Sequence, residues 1–361
     1  IRLTFVRRCA AAAPSATSAT AVSADVHRHL LHRFGPFFVF KNTSIPGLIE
    51  IDMGASGGKP GRQSLNLLDD AFIDGLPLAM SYLNEDLNET ARVAILTGGE
   101  HCCFSAGLDI TSAMSVFLKG VSKTDKAKVA VSTALGMGPA SVRDGEGMPA
   151  MRNQELHKLI RRFQDSISSV ARCRVPVIAA INSHCLGGAV SLATACDVRY
   201  CTADSQFCVK EVKIGITPDI GTLQRLPPLV GQGRARELCL TGRNFSATDA
   251  LKYGLVEEVF ENKQAMLTAA RDTAKQMAAN SPIAVQGTKH VMNYQTERAA
   301  QESLDYVRLW NSAFLKSDDL IAAGVAFATK KEPVFSDYVV DSTYPPVDPT
   351  SRVVSSPSKS K

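Results

Sequence analysis

Hydrophobic residues recur along this chain with two periods, and the switches between them mark out the elements. Leu48-Ile-Glu-Ile-Asp-Met53 alternates with period two, as a strand does when its successive side chains point to opposite faces. Gly54-Ala-Ser-Gly-Gly-Lys-Pro-Gly61 is too rich in Gly and Pro for either regular element and predicts a loop. Leu65 to Leu83 is predicted helical, and Val93-Ala-Ile-Leu-Thr97 is a short buried strand. From Gln154 onward, Leu156, Leu159, Ile160, Phe163, Ile167 and Val170 fall at helical spacing. Pro176-Val-Ile-Ala-Ala-Ile181 is apolar without alternation, which implies burial on both faces, as in a sheet sandwiched by helices.

Strand and helix signals keep alternating to about residue 260, the pattern of an α/β architecture. Met266 to Ala279, Ile283 to Tyr294, Glu302 to Leu315 and Asp318 to Lys330 then predict helices, and no internal repeat is visible. The chain thus divides into a leader (1–35), a core (36–265), a helical region (266–332) and a Pro- and Ser-rich tail (333–361) expected to be disordered. Within the core, residues 119 to about 149 carry several Lys, then Gly136, Gly138, Pro139, Gly145, Gly147 and Pro149, with little periodicity. They are expected to form a flexible insertion.

Composition narrows the class. With 45% hydrophobic and 21% charged residues the chain is ordinarily globular, and no apolar run approaches the roughly 20 residues that cross a bilayer. A net charge of +5 suits an anionic small-molecule ligand without demanding nucleic acid. Nine scattered cysteines without a CxxC read as small core residues in a reducing compartment, not as a disulfide framework or a metal site. The first 24 residues hold Arg2, Arg7 and Arg8 and no acid before Asp25, the composition of a mitochondrial transit peptide. The ending Ser358-Lys-Ser-Lys361 differs from the peroxisomal Ser-Lys-Leu, so the expected location is the mitochondrial matrix.

Two segments share a layout of buried strand, turn of small residues, and helix. They are Ile95-Leu-Thr-Gly-Gly-Glu-His-Cys-Cys-Phe-Ser-Ala-Gly-Leu-Asp-Ile110 and Val177-Ile-Ala-Ala-Ile-Asn-Ser-His-Cys-Leu-Gly-Gly-Ala-Val-Ser191. Small residues let a ligand approach the backbone, so that free amide hydrogens point at it, and a helix starting at Gly188 adds its positive dipole end. Paired amides of this kind stabilise negative charge developing on a thioester oxygen, and losing one such donor costs about 3 kcal/mol in the transition state.

Phe104-Ser-Ala-Gly-Leu-Asp109 resembles the acyl-CoA pocket motif of the enoyl-CoA hydratase/isomerase (crotonase) superfamily. Cys185-Leu-Gly-Gly-Ala-Val-Ser-Leu-Ala-Thr-Ala-Cys-Asp-Val-Arg199 resembles its second signature. The resemblance spans residues 46 to 335 apart from the insertion. It implies an α/β fold, a crotonase-like spiral of ββα turns with a C-terminal helical oligomerisation region. It implies that Ala106 and Gly188 supply the oxyanion amides, with Ser105, Gly107, Leu108, Asp109, Gly187 and Ser191 lining the substrate site. It also makes Lys59 and Arg62 candidates to meet the nucleotide of coenzyme A.

Within the superfamily, a hydratase has two pocket Glu residues, at the positions of Ser191 and Glu211 here. A hydroxyl cannot replace a carboxylate as general base at neutral pH, which argues against water addition. Val209-Lys-Glu-Val-Lys-Ile-Gly-Ile-Thr-Pro-Asp-Ile-Gly-Thr-Leu-Gln-Arg-Leu-Pro227 is instead similar to the corresponding run in Δ3,5-Δ2,4-dienoyl-CoA isomerases. It keeps both proton-shuttling carboxylates of that group, at Glu211 and Asp219. The similarity continues in Ser281-Pro-Ile-Ala-Val-Gln-Gly-Thr-Lys289, Glu302-Ser-Leu-Asp-Tyr306 and Trp310-Asn311. Moving a conjugated diene removes a proton at C2 and delivers one at C6, so one carboxyl must be ionised and the other protonated. Glu211 is read as the base and Asp219 as the acid, with the reverse pairing left open.

The chain departs from the group at Ser191, where an Asp is usual, and at Ala189, where a Gly is usual. The resemblance implies an acyl-CoA thioester as substrate, no metal or redox cofactor, coenzyme A as part of the substrate, and a homotrimer or homohexamer. Two alternatives stay open at this level: another enoyl-CoA isomerase or hydratase, and a catalytically silent structural or RNA-associated subunit of a mitochondrial assembly. His184, beside the second turn, is expected to face solvent or a neighbouring subunit.

Overall fold

The computed structural model describes residues 38–54, 65–99, 103–110, 149–315, 317–333 and 335. The leader, almost all of the insertion, most of the tail, and Lys59 and Arg62 lie outside the described residues. The first elements are β1 (Val39–Asn42), β2 (Leu48–Asp52), α1 (Asp70–Asn84), β3 (Val93–Thr97), α2 (Pro149–Arg172) and β4 (Val177–Ile181). Next come β5 (His184–Leu186), α3 (Gly188–Ala195), β6 (Val198–Thr202), β7 (Gln206–Cys208) and a 3-10 turn, Glu211–Ile214. They are followed by α4 (Thr222–Val230), α5 (Gln232–Thr241), β8 (Asn244–Ser246), α6 (Ala247–Tyr253) and β9 (Glu258–Phe260). The chain closes with α7 (Lys263–Ala279), α8 (Pro282–Phe314) and α9 (Asp318–Thr329).

A six-stranded sheet, in the order β1-β2-β3-β4-β6-β9, forms the spine. Only β1 runs antiparallel to its neighbour; the other pairings are parallel. The central strands are buried along their whole length, β3 and β4 as their apolar runs require and β2 with Glu50 and Asp52 buried among its apolar residues. Their period of two sorts side chains between two cores. Ile49, Ile51, Ala94, Leu96, Val177, Ala179 and Ile181 join the large core that holds α1 and α3. Leu48, Val93, Ile95, Ile178 and Ala180 face the other way, against Met266, Ala270, Ala274 and Ala278, a stripe at every fourth residue of α7. A smaller sheet, β5-β7-β8, pairs β5 with β7 in parallel and β7 with β8 antiparallel, and is held by the stacked rings of Phe207 and Phe245, centroids 5.4 Å apart.

Three elements differ from their sequence reading. α1 starts at Asp70, not at Leu65: Asn66 takes a left-handed φ of 45°, Leu68 bridges to Leu108, and the Asp69 side chain caps the helix by accepting from Phe72 N at 2.9 Å. α2 begins at Pro149, inside the expected insertion, with proline at a position that needs no donor. The helices expected at Ile283–Tyr294 and Glu302–Leu315 are one, α8, of 33 residues. The polar stretch between them stays helical because Ala300 is buried and Glu297 reaches across to a bidentate pairing with Arg225, at 2.7 and 2.8 Å. Among the described residues no helix is long and apolar enough to cross a membrane.

The small sheet carries β5 and therefore the turn ahead of α3. Phe207→Ala is expected to cost about 3–5 kcal/mol, read as a lowered midpoint in denaturant unfolding.

Candidate active site

Parallel pairing sets the carboxyl ends of β3 and β4 side by side, where ligands of parallel sheets gather. The chain leaves each strand through a turn, and the turns are tied together: Ser105 N donates to His184 O at 2.9 Å and Leu186 N to Ser105 O at 3.2 Å. Side chains lock the first turn from beneath. The buried Asn66 donates from Nδ2 to the carbonyls of Gly98, Cys103 and Phe104, at 2.8, 2.7 and 3.2 Å. Ser105 Oγ donates to Asn66 O at 2.7 Å and accepts from Gly107 N at 3.1 Å. Gly107 has a φ of +86°, and a Cβ there would sit 2.3 Å from Leu186 O, so only glycine fits.

These bonds decide which amides are free. Ala106 N donates to Leu65 O at 2.8 Å, so the expectation that Ala106 supplies an oxyanion amide is corrected. The Leu68–Leu108 bridge uses Leu68 N to Gly107 O and Asp109 N to Leu68 O, which leaves the Leu108 N–H pointing away from its partner strand. Among the described residues the Leu108 amide makes no hydrogen bond. Gly188, the first residue of α3, is likewise unpartnered at N–H, as helix geometry dictates. Gly187, with φ +54° and ψ −123°, bends the chain so that this amide and the helix dipole open onto a cavity. The two backbone amides free to meet a ligand here are therefore those of Leu108 and Gly188.

The cavity, about 120 Å³, lies between these turns, α1, α2 and the 3-10 turn. Ala106, Leu108, Asp109, Gly187, Gly188, Glu211 and Asp219 all line it, with Leu159, Ile160, Phe163, Ile214, Ile216, Ile220 and Leu315 making an apolar wall. Three expected lining residues do not. Ser105 is buried in the turn as described, and the Gly107 carbonyl is taken by Leu68. Ser191 is fully buried under α3, its Oγ 2.6 Å from Thr222 Oγ1. The hydroxyl that stands where an acid is usual thus pairs with a second hydroxyl, away from the cavity. His184 is exposed and sits 2.6 Å from Ser183 Oγ.

Glu211 opens the 3-10 turn, flanked by Lys210 and Lys213, yet its Oε2 is enclosed and, among the described residues, has no hydrogen-bond partner. It faces Gly187, whose missing side chain leaves it room. Asp219 does not cap α4, which starts at Gly221 without a side-chain cap. Its Oδ2 instead accepts from Asn311 Nδ2 at 2.7 Å. Burial pushes the Glu211 carboxyl up to about 7, partly offset by nearby backbone N–H groups and reinforced by the Asp219 charge. Burial likewise raises Asp219, to about 6, with the Asn311 hydrogen bond holding it down. The two values lie close together with Asp219 the lower, which favours the pairing left open in the sequence, Asp219 as base and Glu211 as acid. Asn311, Gln164 and Asn66 were not picked out as site residues; each is an amide side chain whose role shows only in its three-dimensional partners. Among the described residues, no cluster of His, Cys, Asp or Glu is placed to hold a metal.

Two free amides facing two enclosed carboxyls are suited to drawing charge onto a carbonyl oxygen while protons move on the chain attached to it. Residues 118–338 match the enoyl-CoA hydratase/isomerase family, and the chain belongs to that family. It is 39% identical over 273 residues to a protein of Arabidopsis thaliana named peroxisomal Δ3,5-Δ2,4-dienoyl-CoA isomerase, covering 75% of this chain and 88% of that one. It is 44% identical over 178 residues to a human protein named mitochondrial Δ3,5-Δ2,4-dienoyl-CoA isomerase, covering 49% and 54%. In fold it resembles the crystal structure of an enoyl-CoA hydratase from Mycobacterium avium subsp. paratuberculosis, with a TM-score of 0.63, 22% identity, and 83% and 98% of the two chains covered. The fold is crotonase-like.

Amide-to-ester replacement tests the oxyanion pair. At Leu108 it is expected to lower kcat by about 10²–10³ with stability unchanged. At Ala106 it is expected to cost about 0.5–1.5 kcal/mol of stability, measured by thermal unfolding, with a smaller effect on rate.

Linkage supplies a second test. The folded state raises both carboxyl values above their usual ones, so between pH 4 and 7 it binds more protons than the unfolded chain, and stability falls as pH rises through that window. Glu211→Gln is expected to be more stable than the parent at pH 8, on the order of 1–3 kcal/mol, and to show little difference at pH 4.

Proposed function

We propose that the chain is a Δ3,5-Δ2,4-dienoyl-CoA isomerase acting in fatty-acid β-oxidation. The observation that carries the reading is that the enclosed carboxyls of Glu211 and Asp219 line one cavity with the free amides of Leu108 and Gly188. A 3,5-dienoyl thioester bound there accepts two hydrogen bonds at its carbonyl oxygen. The ionised carboxyl removes a proton from C2, and the electron pair moves toward the thioester as an extended enolate whose oxygen the amides hold. The protonated carboxyl delivers a proton to C6, and the double bonds settle at C2–C3 and C4–C5. No water is added and no electrons leave the substrate, so the reaction needs no cofactor beyond the coenzyme A of the substrate. The apolar wall from Leu159 to Phe163 and at Leu315 suits the hydrocarbon tail.

Two further parts of the reading rest on separate grounds. The basic, acid-free start of the sequence, together with relatives named mitochondrial, supports the mitochondrial matrix, although one relative is named peroxisomal. The exposed Ile283, Met292, Trp310 and Phe314 along α8 support assembly as a homotrimer or homohexamer.

Purified protein given 3,5-octadienoyl-CoA is expected to produce the strong absorbance of a conjugated 2,4-dienoyl thioester, with no oxygen taken up from labelled water. Glu211→Gln and Asp219→Asn are each expected to lower kcat by about 10²–10⁴. Hydration of a 2-enoyl thioester at a comparable rate would mark a hydratase instead, and failure to bind acyl-CoA would favour a silent subunit.

A further inference from the structure

The two carboxyls of the cavity differ in one contact. Both are enclosed, and burial raises both. Among the described residues Glu211 Oε2 has no hydrogen-bond partner, whereas Asp219 Oδ2 has a donor 2.7 Å away. That donor, Asn311 Nδ2, comes from the last turn of α8, 92 residues further along the chain, and also donates to Thr217 O at 2.8 Å. Asn311 is itself 2% exposed, so water does not compete for the bond.

The loop that carries Asp219 is held at a second point by the same helix. Gln164 of α2, also 2% exposed, donates from Nε2 to Asp219 O at 2.8 Å and to Leu304 O at 2.9 Å. Its Oε1 accepts from Arg308 Nη1 at 3.3 Å, and Arg308 pairs with Asp305 at 2.8 Å. A polar strut from α8 through α2 therefore fixes the Asp219 backbone, while Asn311 brings a side-chain donor to the carboxyl.

We propose that Asn311 is the positioning residue that sets the order of ionisation in the Glu211–Asp219 pair, by giving Asp219 a fixed neutral side-chain donor where Glu211 meets only backbone N–H groups. The inference deepens the isomerase reading and rests on it for its consequence in catalysis. A donor aimed at a carboxylate stabilises the charged form, so Asp219 ionises first and Glu211 keeps its proton. One base and one acid are then present together at neutral pH, which a symmetric pair would not guarantee.

The other charged groups around the pair do not supply this asymmetry. Across the cavity stand Asp69, Asp70 and Asp109, and Lys210 lies beside Glu211. On α2, His157 faces Arg308 and Asp305. On α4, Arg225 is committed to Glu297. On α9, the backbone of Asp319 packs against Gly215 at the end of the 3-10 turn.

The test is a carboxyl-carbon NMR titration of the full chain labelled at Asp, with the Asp219 signal assigned by its loss in Asp219→Asn. In Asn311→Leu the Asp219 titration is expected to move up by about one unit or more, and the acid limb of kcat/KM with it. The rate loss is then about fivefold or more greater at pH 6 than at pH 8. Gln164→Leu, which loosens the same loop but leaves the carboxyl its donor, is expected to lower the rate equally at both pH values and leave the titration in place. Should Asn311→Leu fail to fold, Asn311→Ala serves for the same reading. An Asp219 titration unmoved by loss of the Asn311 amide overturns the proposal. A titration that moves in a protein without isomerase turnover upholds the ordering by Asn311 and sinks the functional reading instead.

Discussion

The whole site depends on β3 and β4 being parallel neighbours. Parallel pairing in register, Ala94 with Val177 through Thr97 with Ala180, forces the chain to leave both strands at the same edge of the sheet. Two turns that are 80 residues apart in sequence thus lie against each other, joined by the Ser105–Cys185 bridge. Once that bridge forms, the hydrogen-bond direction along each turn determines which amides are used up and which remain. Leu68 takes the Gly107 carbonyl, Leu65 takes the Ala106 amide, and Leu108 and the first residue of α3 are left over. The unsatisfied donors are a consequence of topology, and the cavity exists because a ligand oxygen is the acceptor that completes them.

The legible parts of the fold were those with strong local signals. Val93–Thr97 and Val177–Ile181 are short apolar runs with no competing period, and both are strands as read. α7 shows its four-residue stripe directly. The β5-β7-β8 sheet was missed because strands of three residues carry too few positions for a period of two to register. Leu65 to Leu68 read as helix because they are apolar, but tertiary bridging to Leu108 outweighs local preference there. The single helix α8 read as two because residues 296–299 are largely exposed and carry no apolar stripe; its continuity rests on Glu297 meeting Arg225, a partner 72 residues away.

The site was legible in the same measure. Glu211 and Asp219, singled out from their likeness to dienoyl isomerases, do line one cavity, and Gly188 carries a free amide. The shift of the second amide from Ala106 to Leu108 could not be read, since adjacent N–H groups in an extended turn alternate in direction and the residue letters do not say which faces in. Ser191 is instructive. A serine in place of an acid looks like a lost catalytic group, yet its hydroxyl is matched by Thr222 and buried with it, so the substitution is internally compensated.

Why an amide, and not a cation, stands beside Asp219 follows from magnitudes. A buried carboxyl paired with Arg or Lys falls by about 1–3 units and ceases to be a useful base near neutrality. A carboxyl met only by backbone N–H groups, like Glu211, rises further and holds its proton longer. One neutral donor gives the intermediate case: enough stabilisation to ionise Asp219 ahead of Glu211, too little to quench it. The donor must also be rigid, because a mobile side chain would let water substitute and blur the difference between the two acids. Asn311 meets that need by spending its second N–H on Thr217 O, and α8 meets it by anchoring through Gln164 and Arg308. The stability sacrificed in burying two acids is therefore concentrated where a helix end already fixes the geometry, and the energetic difference between the acids is carried by a single hydrogen bond.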